Sequence, residues 1–402
     1  MRFLKFIALL GFFLSVTGSV MGQEKKDSSK DRRGGQKEAE ATRNAVAPDS
    51  LSKMARINAK LEDLFVYIPV PIISYAQETG NNFGLAKFNM IDFYKDDTIT
   101  SPAKFSALAT FSSLGNVKVI LGWKIYLRND EYLTSGLLGY RFFPEYIAGI
   151  GNRPFNDSRT NQDTIEQITN KAFLVEFSFA KQVVKDNFFG VGYSYRNFIE
   201  VEKDSTSFLI ENDVTGKDGG IVSGLNLFYI FDNRKNRYTP SNGMYVELST
   251  KINTPTLGSQ FKYIDFSLDI RKYFKVFKSH VIALQAFWGT QDGAVPYFDL
   301  YKMGGANRMR GYYEGAIRDF SIFDAQVEYR LPLWKIFGMT AWLGQGQVFP
   351  ADGGIDFSDF WTSYGLGLRI MVDSESQTNL RLDVGFNQYG GHAVIINFSE
   401  AF

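Results

Sequence analysis

From about residue 64 to its end, the chain repeats one pattern: segments of about ten residues in which apolar side chains take every second position. Clusters of Asn, Asp, Gly, Ser and Pro separate these segments. The clearest case sets Leu380, Leu382, Val384 and Phe386 against Arg381, Asp383, Gly385 and Asn387. The same split sets Ile264, Phe266, Leu268 and Ile270 against Asp265, Ser267, Asp269 and Arg271, and Phe323, Ala325, Val327, Tyr329 and Leu331 against Asp324, Gln326, Glu328 and Arg330. Period two is the period of a β-strand, so each segment has one apolar face and one face that carries all the charge.

Strands of a soluble sandwich run to five or six residues, whereas these are long enough to cross a bilayer at a tilt, about 9 to 11 residues each. The expected fold is therefore all-β, a transmembrane antiparallel β-barrel. About sixteen segments can be counted, an even number that leaves both barrel ends on the periplasmic side. On that count residues 151–167, 202–219 and 289–319 are long outer loops, and residues 232–243 form a periplasmic turn. The last segment places Val394, Ile396, Phe398 and the final Phe402 on one face. An aromatic residue at the end of an alternating last strand resembles the carboxy-terminal signal of bacterial outer-membrane proteins.

Composition narrows the picture. The chain has 402 residues, 45% hydrophobic, 16% aromatic, with 37 Gly and no Cys, so no disulfide staples it and a closed backbone ladder must supply stability. Its 44 Lys and Arg nearly balance 43 Asp and Glu, which removes the electrostatic case for nucleic acid. Residues 1–22 read as a signal peptide: Arg2 and Lys5, the apolar run Phe6 to Leu14, then small residues up to Gly22. Residues 23–63 are expected to be a polar periplasmic segment, charged and poor in large apolar residues to about Asn44, with a short helix across residues 50–64 capped by Ser52. Residues 64–402 would form the barrel. No later stretch is long and apolar enough for a membrane helix.

The stretch Gly304-Gly305-Ala306-Asn307-Arg308-Met309-Arg310-Gly311-Tyr312 lies in the long loop between the eleventh and twelfth segments. An Arg carried into a barrel enters a confined space and demands a carboxylate partner. Glu328, on the inward face of the adjoining strand, is the expected partner of Arg310. Gly311 would allow a positive φ or close contact with the wall, and Tyr312 would pack and hydrogen-bond inside.

Met309-Arg310-Gly311-Tyr312, with Gly304 and Gly305 before it, resembles the characteristic loop of the bacterial surface antigen superfamily, which includes the BamA and TamA barrels. Two other pieces are similar: Asp232-Asn233-Arg234 with Pro240 and Gly243, and Val327-Glu328-Tyr329-Arg330-Leu331-Pro332. The resemblance covers roughly residues 64–402. It implies an outer-membrane protein whose loop folds into the lumen and latches there, and which assists insertion or translocation of other proteins. Its implied partners are outer-membrane lipid, nascent outer-membrane proteins, and assembly subunits of the periplasm or outer membrane.

The chain departs from the family in two places. The family's second acid falls where this chain has Gly344, within Trp342-Leu343-Gly344-Gln345-Gly346, so a second anchor for Arg310 is expected to be missing. The roughly forty residues between signal peptide and first strand leave no room for the family's periplasmic POTRA modules, so a barrel-only member is expected. A seam is expected between the strand at residues 68–75, which includes Pro69 and Pro71, and the strand at residues 394–402 with Phe398 and Phe402, entered through Gly390-Gly391. The alternative is a passive pore or an anchoring barrel without assembly activity.

Enzyme chemistry is not expected. His280 and His392, the only histidines, lie in separate strand segments and build neither a triad nor a metal cluster. Asn156-Asp157-Ser158 reads as a solvated loop in preference to a Ca²⁺ site. No cofactor and no metal are expected.

Overall fold

The alternating segments close on themselves into a ring. The computed structural model describes residues 69–402 except 77–79, 92, 94–99, 148, 154–164, 205, 278, 335 and 374–377. The signal peptide, the polar segment with its helix, and the Asn156-Asp157-Ser158 loop therefore lie outside the described residues.

The first half of the ring runs through β1 (Val70–Ala76), β2 (Gly80–Ile91), β3 (Ala103–Ser112), β4 (Val117–Leu127), β5 (Tyr132–Ile147), β6 (Glu166–Val184), β7 (Asn187–Glu202) and β8 (Gly220–Asp232). It continues through β9 (Gly243–Asn253), β10 (Tyr263–Val276) and β11 (His280–Gly293), then β14 (Ser321–Trp334), β15 (Phe337–Phe349), β16 (Trp361–Asp373), β17 (Thr378–Asn387) and β18 (His392–Phe398). These sixteen strands form one closed antiparallel barrel in which chain neighbours pair, and the intervening β12 (Tyr301–Lys302) and β13 (Arg318–Asp319) pair only with each other. The strand count is the one the alternation predicts, and among the described residues the first strand starts at Val70.

Alternation decides which side chains meet lipid. On β6 Phe173, Val175, Phe177 and Phe179 are exposed on the outside, and on β17 Val384 and Phe386 are exposed while Arg381, Asp383 and Asn387 are buried inside. Among the described residues no helix is long and apolar enough to cross a membrane. The longest connections, between β5 and β6, between β7 and β8 and between β11 and β14, leave from the rim opposite the one where β1 begins and β18 ends, the distribution of an outer-membrane barrel with its ends in the periplasm.

Two apolar clusters fill the end of the lumen near the long loops. One joins Ile147, Ile168, Val222, Tyr297 and Phe298 to Leu209 of the short helix α1 (Phe208–Glu211). The other joins Met303, Met309, Tyr312, Tyr313 and Ile317 of the long loop to Ile322, Val348 and Trp361 of the wall. That end of the lumen is thus a packed core built around the loop.

One correction concerns the end of the chain. Phe402 does not continue the face of Val394 and Ile396: β18 stops at Phe398 and Ser399 takes φ 65°. Phe402 is buried in a cluster with Tyr273, Val281, Ala283 and Ala401. Gly390 and Gly391 sit in the β17–β18 turn at the long-loop rim, where Gly391 N–H donates to Asn387 Oδ1 at 3.0 Å. Among the described residues the seam has one registered pair between β1 and β18, Tyr75 opposite Val394.

Candidate functional site

Residues 294–320 descend into the barrel as a hairpin stitched by β12 and β13, with Tyr301 opposite Asp319 and Lys302 opposite Arg318. Gly304 and Gly305 begin its tip with φ 103° and 99°. A Cβ on Gly304 would lie 2.8 Å from the carbonyl oxygen of Tyr312, so only glycine lets the two arms approach this closely.

Arg310 stands at the tip with no exposed surface. Its Nη2 meets Glu328 Oε2 at 2.8 Å and its Nη1 meets Asp383 Oδ2 at 2.7 Å. Its guanidinium lies 3.7 Å from the centroid of the Trp342 ring. The charge is therefore held between two carboxylates and an aromatic face, the setting in which a desolvated guanidinium is favourable.

The second acid that the local sequence lacks comes from β17. Gly344 instead makes room for the residue before the arginine: a Cβ there would stand 3.6 Å from Met309 Sδ, and one on Gly346 only 3.2 Å from it. The expectation of a missing anchor is thus overturned by Asp383, which faces the same lumen from three barrel strands beyond Glu328.

Gly311 has φ 105°, and a Cβ on it would lie 2.7 Å from the backbone of Phe386. Across from it, a Cβ on Gly385 would lie 2.8 Å from the carbonyl carbon of Arg310. Loop and wall meet backbone to backbone. Ser363 Oγ donates to the Arg310 carbonyl, Asn387 Nδ2 donates to the Gly311 carbonyl at 2.8 Å, and Tyr312 Oη donates to the Thr362 carbonyl at 3.0 Å. Arg308 adds an ion pair with Asp324 at 3.0 Å and stacks on Phe287, and Arg381 Nη2 donates to the Ala306 carbonyl at 3.0 Å.

The charges extend from the tip toward the barrel ends. Arg369 joins Asp383 (2.6 Å) to Glu400 (2.7 Å), and Arg330 holds Glu328 at 2.8 Å. Four arginines (310, 330, 369 and 381) and three acids (328, 383 and 400) thus form one buried network. A buried network of this kind costs much desolvation and is tolerated when its members satisfy one another.

The loop has a second attachment that sequence reasoning missed. Glu145 on β5 takes Lys302 at 2.8 Å and Arg318 at 3.2 Å, and Asp299 takes Arg196 and Tyr263. Burial outweighs the attraction of Glu145 and holds the Lys302 ammonium below its ordinary range. Burial also pushes the Asp319 carboxyl up to about 6. The only sequence signal for these contacts was the density of charge in a loop flanked by apolar residues. Among the described residues no group of His, Cys, Asp or Glu could hold a metal ion.

A sixteen-strand antiparallel barrel with a loop tied by arginine to its inner wall defines a class, the outer-membrane β-barrels whose lumen is occupied by one of their own loops. The Omp85 superfamily domain matches residues 91–399, and the chain belongs to that superfamily. Its fold is similar to BamA from Haemophilus ducreyi lacking POTRA domains 1–3, at TM-score 0.52 and 14% identity over 87% of this chain and 77% of that one. It is also similar to CdiB from Escherichia coli (TM-score 0.54, 9% identity, 86% and 69% covered) and to CdiB from Acinetobacter baumannii (0.51, 12%, 82% and 58%). At these identities the likeness is one of fold, and the chain spans 58% of the Acinetobacter protein.

Proposed function

We propose that this barrel assists insertion or translocation of proteins at the outer membrane by opening its seam to an incoming strand. The observation that carries this reading is the unequal pairing around the ring. Among the described residues β1 and β18 share one registered pair, while β1 with β2 and β17 with β18 share seven each. A short seam leaves backbone donors and acceptors on two edges, which an extended chain can satisfy by adding as a strand. Pro71 in β1 has no N–H to give to either neighbour.

In this reading Arg310, Glu328 and Asp383 act as a latch that keeps the lumen filled and the wall in shape while the seam works. Partners would be outer-membrane lipid, unfolded outer-membrane proteins and periplasmic assembly subunits. Depleting the protein is expected to lower the folded amounts of other outer-membrane proteins, and liposomes containing it are expected to fold a client barrel faster than empty ones. Unchanged client levels and unchanged folding rates would overturn the proposal.

The packed lumen argues against a passive pore. Planar bilayers are expected to show small, fluctuating steps, and a large steady conductance would favour the pore.

A further inference from the structure

Chain that belongs to no strand crosses the barrel at the rim where its ends emerge. Residues 233–242 join the eighth and ninth strands of a ring of sixteen, and residues 399–402 follow the sixteenth. The two segments therefore start from opposite sides of the ring, yet they touch: Glu400 N–H donates to the Tyr238 carbonyl at 3.4 Å. Each is tied down separately. Arg237 reaches Asp130 in the β4–β5 turn at 2.8 Å, Asp232 at 3.1 Å and the Tyr126 ring at 4.3 Å. Glu400 is held by Arg369 at 2.7 Å and by Asn379 at 2.8 Å, and Phe402 stacks on Tyr273.

Arg330 joins the two. From the inner face of β14 its Nη1 donates to the Pro240 carbonyl at 3.1 Å and its Nη2 to the Phe402 backbone oxygen at 2.9 Å, while its Nε faces Glu328. One guanidinium thus touches both crossing segments and the acid that holds Arg310.

We infer that residues 233–242 and 399–402 form a two-part floor that closes the periplasmic end of the lumen, and that Arg330 is its clasp. The second part continues directly from β18, so β18 cannot swing away from β1 without drawing Phe402 off Tyr273 and Arg330. Opening the seam then unlocks the floor. The floor itself stands on these contacts whether or not the seam accepts client strands.

The chain has no Cys, so a single engineered thiol reports alone. Thr340 faces the lumen opposite Arg330 in the β14–β15 register with 1% exposure, and Ser358 is exposed on an outer loop. In the full-length protein, Thr340→Cys is expected to react with a membrane-impermeant maleimide far more slowly than Ser358→Cys. Arg237→Ala, which frees the first part, and Phe402→Ala, which frees the second, should each speed Thr340→Cys labelling by about tenfold or more by raising the population of locally opened molecules. The isosteric Glu400→Gln tests the second part if Phe402→Ala does not fold, with heat-modifiable gel migration as the folding check. Labelling unchanged in either arm of a folded barrel, or Thr340→Cys labelling as fast as Ser358→Cys without any floor substitution, would overturn the inference. Client folding is a separate readout, so loss of the assembly proposal leaves this result standing.

Discussion

Arg310 and Asp383 stand 73 positions apart in the chain and meet at 2.7 Å inside the barrel, both without exposed surface. The contact joins the tip of a loop that precedes β14 to the last strand but one. Asp383 also holds Arg369, and Arg369 holds Glu400, so the loop tip is linked by charge to the end of the ring.

Arg310→Ala is expected to leave Glu328 and Asp383 buried with one cation fewer, at a cost of about 3–5 kcal/mol, the usual result of removing one member of a buried pair. The measurable outcome is faster protease cleavage within residues 294–320 in intact cells and a lower temperature of heat-modifiable unfolding. Arg310→Lys should recover little, because a point charge cannot bridge two carboxylates and lie on Trp342 as a planar guanidinium does. Cleavage at the wild-type rate in Arg310→Ala would refute the latch.

Gly311→Ala and Gly385→Ala test the backbone contact rather than the charge. At Gly311 the new methyl would meet Phe386 backbone at 2.7 Å with φ at 105°, and at Gly385 it would meet Arg310 at 2.8 Å. Each is expected to lift the loop from the wall at a cost of about 1–3 kcal/mol. Hydrogen exchange should rise at Arg310 to Tyr312. Equal protection in the variants would mean that the wall yields instead.

Strand alternation along β14 and β17, and the Arg310–Glu328 geometry, were accessible from the sequence because each depends on neighbours in the chain: period two fixes the face, and β14 follows the loop directly. Asp383 was visible as a lumen-facing acid, but which lumen acid meets Arg310 depends on ring closure and on the depth at which each strand is staggered. A single sequence does not state that stagger. Phe402 was misplaced for a local reason, since one residue with positive φ, Ser399, turns the chain off the strand and sends the ring inward. The attachment of the loop through Glu145 and Asp299 was invisible because both acids meet residues from distant strands.

That second attachment gives a separable prediction. Asp299 accepts both Arg196 and Tyr263, so Asp299→Asn should loosen residues 294–300 while leaving the Arg310 contacts in place. Hydrogen exchange should increase around Tyr297 and Leu300 and stay unchanged at Gly311. A simultaneous increase at both would show that the loop opens as one unit.

Acid should release the end of the chain before it unfolds the barrel. Burial pushes the Glu400 carboxyl up and Glu328 adds to that, but Arg369 and Arg330 outweigh them, so it is held below its ordinary value of 4.5. A depressed carboxyl contributes stability that is present in full above its unfolded value and is lost as pH falls through the folded one. Neutral to mildly acidic solution should therefore leave residues 399–402 docked, and they should detach only as pH drops below about 4.5. Fluorescence of a probe attached near Ser399 would follow the release. Glu400→Gln should lower docking at neutral pH and flatten its pH dependence, because the amide cannot carry the charge that Arg369 and Arg330 recognise. A release curve unchanged by Glu400→Gln would assign the acid sensitivity to another group.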